Sequence, residues 1–416
     1  MQKLDAEVLT IGDELNRGEI VDTNSSWLAE RLTELGLHVR WRSSVTDDEP
    51  DIAQALEQAA GRARVVVCSG GLGPTDDDRT VDVVARLVGV EPAADPDHEA
   101  FMRARFAERK FAITPNNLRQ VRVPRGADVL KNRKGLAPGF RVAHRSAELY
   151  FMPGVPREMK SIFTDEAAPR IARLAGDGPK LARRTWRVAG MGESHVDHAL
   201  AGLLDGIADA TLHFRIAFPE NLVTVIVRRA DEREAREVLE RVDADVRARL
   251  GDHLYGVDDQ SLAQVVGAKL RAKGATLALA ESCTGGLVGQ LITSVPGSSD
   301  YFRGGAVVYA NDVKSALLGV RDETLRAHGA VSRETAIELA EGARRVFAAD
   351  WGVALTGIAG PGGGTPEKPA GTVDLAVCGP NTVEHRRLFW PGERDPVRQI
   401  AASAALHLLY KLLNRA

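Results

Sequence analysis

Twice along this chain, short apolar runs of strand type alternate with helical stretches, and that rhythm restricts the fold more than any other feature. In the first 90 residues, Val8-Leu9-Thr10-Ile11 reads as a buried strand. The spacing of Trp27, Leu28, Leu32 and Leu35, with a polar cap and a closing glycine, predicts a helix from Asn24 or Ser25 to Gly36. Leu37 to Arg42 is a second strand, Pro50 to Ala60 a second helix, and Val65-Val66-Val67-Cys68 a run of buried-strand type. A βαβαβ order argues a parallel sheet with helices on both faces. Leu149-Tyr150-Phe151-Met152 is a later strand, followed by Pro153-Gly154 and a helix beginning near Pro156.

The pattern restarts after Gly256. Helix Ser261 to Lys273 leads to strand Thr276 to Ala280, and Ser282-Cys283-Thr284-Gly285-Gly286 opens another helix. Strand Ala306 to Tyr309, helix Arg333 to Phe347, strand Val353 to Thr356 and a last helix from about Asp395 complete it. Between the two patterns, Ala175-Gly176-Asp177-Gly178-Pro179 reads as a hinge. Leu222 to Val227 alternates weakly as a strand, and Asp231 to Leu250 is a charged helix with the apolar stripe Ala235, Val238, Leu239, Val242, Val246 and Leu250. Its i,i+4 pairs Glu232–Arg236 and Glu237–Arg241 suit a solvated outer face. Three domains are expected: a doubly wound α/β domain over 1–172, a small α+β connector over 173–256 and a second α/β domain over 257–416. The length of 416 residues fits two or three domains at about 150 residues each.

Charge and cysteine content exclude several classes. The formal net charge is -3, from 54 basic and 57 acidic side chains, which gives no broad footprint for nucleic acid or an anionic membrane. The start, MQKLDAEVLTIG, has no apolar segment after a basic one, and no run of eighteen apolar residues occurs. Cys68, Cys283 and Cys378 are far apart and odd in number, so neither a disulfide framework nor a CxxC zinc site is expected. A cytoplasmic protein is the expectation. His195 and His198 are spaced H-x-x-H, but with only Glu193 and Asp197 nearby they read as surface histidines.

Strands of a parallel sheet end on one edge, where ligands bind. Three loops of unusual composition follow strands of the first domain. They are Gly12-Asp13-Glu14-Leu15 (extended by Asp22-Thr23-Asn24), the run Ser69 to Thr80, and Pro153-Gly154-Val155-Pro156-Arg157-Glu158. Taken singly, each glycine suits a tight turn and each aspartate a helix cap. Three such loops on one edge favour a phosphate site, with Mg²⁺ or a similar divalent cation offsetting the charge beside Asp13, Asp77 and Asp78.

In the last domain Ser282 lies between a strand and a helix, so its hydroxyl is expected to be exposed at the positive end of the helix dipole. The amides of Thr284, Gly285 and Gly286 are placed to receive an oxyanion or phosphate. His253, His328, His385 and His407 all lie outside the strand-end loops, which weakens a Ser-His-Asp triad. Tyr309 ends the next strand and Lys314 follows five residues later. A desolvated lysine can take a proton, with the tyrosine relaying it. Ser282 also suits a helix cap, Lys314 a solvated helix residue, and Cys283 a small buried residue. The glycine-rich loop Thr356 to Thr365, with Gly357 and Gly360, fits a phosphate-bearing substrate.

GDELNRGEIVDTN, SGGLGPTDDDRT, NRKGLAPGF and MPGVPREM together resemble the molybdenum-cofactor-binding domain of the MogA/MoaB type, and more closely the N-terminal half of the CinA family. That resemblance implies a metal-dependent ADP-ribose pyrophosphatase, with Asp13, Glu14, Gly70, Gly71, Gly73, Thr75, Asp77, Asp78 and Thr80 lining the nucleotide and metal site. AESCTGGLVGQLITSVPGSSDYFRGGAVVYANDVKSALLGV, HGAVS and ALTGIAGPGGGTPEKPAGTV are similar to the CinA C-terminal domain, the PncC-type nicotinamide mononucleotide deamidase. The implied roles are Ser282 as acyl-forming nucleophile, Lys314 as base and Tyr309 in proton transfer. Thr284, Thr356 and Gly357 would bind substrate, and this chemistry requires no metal. The connector resembles that of full-length CinA proteins loosely: Gly192-Glu193-Ser194 fits a helix start, while Phe218-Pro219-Glu220-Asn221 lacks the expected Pro/Gly-rich turn. The likeness to full-length members suggests a homodimer. Two rival expectations remain: a first domain that binds or adenylates a molybdopterin-like compound, and a competence or recombination scaffold that binds DNA or a repair partner. The near-neutral charge speaks against direct nucleic-acid binding.

Overall fold

The computed structural model describes residues 4–176 and 180–415. The hinge expected at Ala175 to Pro179 falls partly on Asp177, Gly178 and Pro179, outside the described residues. The chain divides into two compact units, one running to Ala182 with Arg228–Arg236, the other Arg183–Val227 with everything from Glu237 on.

The first unit is built on a six-stranded sheet in the order His38–Val45, Asp5–Ile11, Val65–Ser69, Ala147–Met152, Gly139–His144, Asp128–Leu130. Its first four strands are parallel. The central strands are buried at nearly every position because both faces are covered. Leu9, Ile11, Val66, Cys68, Leu149 and Phe151 enter one core, and Ala6, Val8, Val65, Val67, Tyr150 and Met152 the other. Helix Thr23–Glu34 starts where the Asp22 carboxylate accepts from the Ser25 amide at 2.8 Å. The parallel order expected from βαβαβ holds for the first four strands, while the pairings beyond Ala147–Met152 are antiparallel, Gly139–His144 being joined to it through only Arg145 and Ser146, too short a link for a crossover.

The second unit holds a five-stranded sheet in the order Phe302–Val307, Leu277–Glu281, Trp351–Gly357, Thr372–Cys378, Val383–Phe389. The first three strands are parallel, so Val307, Glu281 and Gly357 end on one edge. The last helix, Arg394–Arg415, buries Val397, Ala401, Ala405, Leu409 and Leu412 among others against this sheet's core. The connector forms a four-stranded sheet in the order Ala210–Ala217, Glu220–Arg229, Lys180–Val188, Leu254–Val257, with antiparallel pairs at both ends. Phe218 and Pro219 make a two-residue hairpin turn between the paired Ala217 and Glu220. The stripe predicted on helix Glu232–Leu250 is buried at all six positions. Among the described residues no helix is long and apolar enough to cross a membrane.

Candidate active sites

In the second unit Ser282 follows directly on Leu277–Glu281. Its amide donates to the Leu355 carbonyl at 3.0 Å, and the Val308 amide donates to the Glu281 carbonyl at 2.8 Å. The serine is thereby fixed between the ends of three strands. It is buried at 7% exposure, which corrects the expectation of an exposed hydroxyl at a helix start. The helix begins only at Leu287, after a turn in which Gly285 and Gly286 adopt φ of 61° and 95°, values suited to glycine. The anion-binding role expected of the turn also changes. The Gly285 amide donates to the Ser282 carbonyl at 3.0 Å. The buried Glu281 carboxylate accepts from the amides of Gly286, Val288 and Gly289 at 3.0, 3.1 and 2.8 Å. A built-in carboxylate and the Ser282 carbonyl therefore take up the Gly286 and Gly285 amides, two of the three expected to receive an anion.

Lys314 is buried, on helix Asn311–Leu318, and its ammonium donates to the Tyr309 carbonyl at 2.9 Å. Among the described residues no carboxylate forms an ion pair with it, and burial holds its pKa below the ordinary lysine value. The Tyr309 phenol points elsewhere and accepts from Arg394 Nη2 at 2.7 Å. Lys314 and Tyr309 are thus adjacent, but the lysine bonds to the tyrosine's backbone and not to its hydroxyl. Burial pushes the Cys283 thiol up to about 11, so it is a small packed residue. Thr284 has no exposed surface, and its hydroxyl has no hydrogen-bond partner among the described residues. A buried polar group left so is uncommon. Thr356 is buried and donates to the Ala330 carbonyl at 2.7 Å, and a Cβ on Gly357 would meet Val373 at 2.7 Å.

Two arginines that sequence reasoning passed over complete this edge. Both lie on the last helix. Arg394 Nη1 donates to the Gly360 carbonyl at 3.0 Å while its Nη2 holds Tyr309. Arg398 donates from Nε and Nη2 to the Thr284 carbonyl at 3.2 and 3.0 Å. With Lys314 they place cationic groups around the Ser282, Tyr309 and Gly360 loops, a setting suited to an anionic ligand.

In the first unit the strand ends Ile11, Ser69 and Met152 share one edge. Asn24 spans it, donating to Ser69 Oγ at 3.0 Å and to the Gly154 carbonyl at 2.7 Å. Gly70 has φ of 120°, and a Cβ there would lie 2.0 Å from the Ile11 carbonyl oxygen. Its amide donates to the Met152 carbonyl at 3.0 Å, so close packing and not phosphate binding explains this glycine. A Cβ on Gly71 would strike the buried Thr80 hydroxyl at 2.1 Å. The Asp78 carboxylate accepts from Thr75 N and Oγ1 at 2.8 and 2.6 Å and so shapes its own loop, with a Cβ on Gly73 at 2.4 Å from it. Asp77 is exposed in that turn.

Asp47 is the acid here that sequence reasoning missed. It accepts from the Asp13 amide at 2.9 Å, and its own amide donates to the Asp13 carboxylate at 3.2 Å. Burial raises its pKa, and the charges of Asp13, Glu14 and Asp78 push the same way against the Asp13 amide. Arg17 pairs with Asp13. Among the described residues no three His, Cys, Asp or Glu side chains are grouped as a ready-made metal cage. What is present is an excess of negative charge, which fits a cation held by one or two carboxylates with water and ligand oxygens. Behind the edge, the buried Asn132 holds the NRKG loop. It donates to Glu158 at 2.7 Å and accepts from the amides of Lys134 and Gly135 at 2.9 and 2.8 Å.

Comparison with known proteins places these edges in context. Three family models match in succession: "Probable molybdopterin binding domain" over 7–173, "Damage-inducible protein CinA KH domain" over 183–256 and "CinA C-terminal domain" over 259–413. A CinA-like protein of Anaeromyxobacter sp. (strain Fw109-5) is 46% identical, with 98% of each chain covered. One from Myxococcus xanthus (strain DK1622) is 44% identical, with 97% of each covered. Among solved structures, the competence/damage inducible protein CihA from Agrobacterium tumefaciens is 42% identical over 37% of this chain and 93% of its own, with a TM-score of 0.36.

Proposed function

This chain belongs to the CinA family, and from that premise we propose that it is a bifunctional enzyme of pyridine-nucleotide salvage. Its C-terminal half is a serine amidase converting nicotinamide mononucleotide to nicotinate mononucleotide and ammonia. Its N-terminal half is an ADP-ribose pyrophosphatase that works with a divalent cation. The observation that carries the first activity is Lys314, a buried amine without a countercharge next to the strand ends that fix Ser282. Burial shifts this lysine toward its neutral form, the form that a base for a serine hydroxyl requires.

The reaction proceeds in two halves. Ser282 Oγ attacks the carboxamide carbon and its proton passes to the Lys314 amine. The tetrahedral adduct collapses, the C–N bond breaks, and the nitrogen leaves as ammonia carrying that proton. Water then adds to the ester with Lys314 again as base, and release of Ser282 Oγ yields the carboxylate. Thr284, two residues from Ser282 and with a buried hydroxyl that has no hydrogen-bond partner among the described residues, supports a place for the substrate on this turn. Arg394 and Arg398 supply positive charge for a phosphate, and Tyr309 is held at the rim by Arg394.

In the first unit Asp13 and Asp78, with Asp47 behind them, would hold the divalent cation, which when bound neutralises diphosphate charge so that water can attack. Asp47 keeps Asp13 in place through their reciprocal amide bonds. The test is ammonia release from nicotinamide mononucleotide by wild type and Ser282→Ala, beside ADP-ribose consumption with and without Mg²⁺. The amidase reading requires release that Ser282→Ala abolishes while folding is kept. Equal release from both proteins removes Ser282, and no release from either removes the amidase. ADP-ribose left intact in Mg²⁺ removes the pyrophosphatase.

A further inference from the structure

The connector hairpin tip and the C-terminal sheet lie in one compact unit, and the tip meets the segment that follows the last strand of that sheet. The Phe218 ring lies 6.0 Å from that of Trp390, centroid to centroid, at 55°. The tip is anchored from behind: the buried Tyr255 hydroxyl donates to Glu220 at 2.6 Å, and Asn221 donates to the Met191 carbonyl at 2.7 Å. Trp390 in turn is stitched to the glycine-rich loop. Its amide donates to the Gly371 carbonyl at 3.1 Å, and the Gly371 amide donates to the Ile358 carbonyl at 2.6 Å. A Cβ at Gly371 would lie 2.0 Å from the Trp390 carbonyl oxygen, so this close backbone approach depends on the glycine. Four residues beyond Trp390, Arg394 bonds Gly360 and Tyr309.

A continuous set of contacts therefore runs from Phe218 through Trp390 and the 358–371 loop to Arg394 and Tyr309. Phe218 and Trp390 are each 42% exposed, so neither is explained as core. We propose that Phe218 is a positioning residue of the amidase: it props Trp390, and through it holds the 358–371 loop and Arg394 in the arrangement that binds substrate. The connector then completes the cleft instead of merely joining two domains. The choice of substrate rests on the amidase reading above. The structural part, the hold of the hairpin tip on the loop, does not.

The experiment uses the full chain and compares Phe218→Ala and Phe218→Tyr with wild type. Amide hydrogen exchange is followed over residues 358–371, with Leu277–Glu281 as the control for intact folding. Kinetics on nicotinamide mononucleotide are measured on the same samples. Phe218→Ala should speed exchange in the loop and raise KM about 3- to 10-fold with kcat within about twofold, the scale of one lost aromatic pair. Phe218→Tyr, which keeps the ring, should restore both. Unchanged loop exchange, an unchanged KM, or a fall in kcat alone overturns the proposal. If the wild type releases no ammonia, the amidase reading fails. Loop exchange then decides alone, faster exchange in Phe218→Ala supporting the hold and unchanged exchange overturning it.

Discussion

Replacing Glu281 by glutamine changes one atom and removes one charge, yet it should disable the turn that carries Ser282. The carboxylate receives three amides, two on one oxygen (Gly286 at 3.0 Å, Val288 at 3.1 Å) and one on the other (Gly289 at 2.8 Å). A glutamine offers one carbonyl oxygen, which can keep the Gly286 and Val288 pair. Its NH₂ then faces the Gly289 N–H, donor against donor. The loss combines a charge-assisted hydrogen bond with a buried amide left without an acceptor, about 2–4 kcal/mol in all. Read by hydrogen exchange over residues 277–293, that is a loss of protection of about 30- to 1,000-fold. The Gly285 amide of that turn donates to the Ser282 carbonyl, so a shift of about 1 Å there should lower kcat for ammonia release about 10- to 100-fold. Wild-type protection together with wild-type kcat in Glu281→Gln would refute the argument that this carboxylate holds the turn.

Lys314 predicts a pH dependence. Burial disfavours its charged form, so the folded pKa lies below the unfolded one, and the folded state binds fewer protons between the two values. Stability should therefore rise with pH across that window, and kcat/KM for ammonia release should rise through an apparent pKa below the ordinary lysine value. Lys314→Met should remove that limb and cost about 10²- to 10⁴-fold in kcat, measured by steady-state pH profiles. Asp47 carries the opposite sign. Its folded pKa is raised, so its contribution is present below the unfolded pKa and is lost as pH rises through the folded one. Asp47→Asn, which keeps an acceptor for the Asp13 amide, should stabilise the first unit by about 0.5–1 kcal/mol at pH 7 and by nothing at low pH. Thermal unfolding at both pH values decides this, and a destabilised variant at pH 7 contradicts it. Mg²⁺ should raise the melting temperature of the wild type more than that of this variant.

The strand-end loops were legible because fully apolar strands of four to seven residues followed by glycine and acidic loops have few other solutions. Ser282, Tyr309 and Lys314 were legible for the same reason, being local to two neighbouring strand ends. Arg394 and Arg398 were not. They stand 85 and 114 residues from Tyr309 and Thr284, the groups they touch, and reach them only because the last helix packs on the sheet. Glu281 did leave a signal: a carboxylate closing the apolar run Leu277 to Ala280 breaks the strand pattern and needs partners, which the next turn supplies. Asp47 left none, since an acid in an Asp-Asp-Glu loop reads as solvated. The antiparallel pair of strands at the edge of the first sheet was missed because Gly139 to His144 carries polar and charged residues that mask its strand character.

The three thiols also have a use that no catalytic role supplies. Cys68, Cys283 and Cys378 are all buried, and burial lifts Cys68 far above the usual thiol range, Cys283 to about 11 and Cys378 to about 12. At pH 7 a thiol at about 11 is ionised in only about one molecule in ten thousand, so a soluble alkylating reagent meets almost no thiolate in the closed protein. Labelling then waits on opening. Cys68 lies in the centre of the first sheet, Cys378 at the end of strand Thr372–Cys378 in the second unit, and Cys283 beside Ser282, so mass spectrometry of the three peptides times three separate breaches from one unmodified sample.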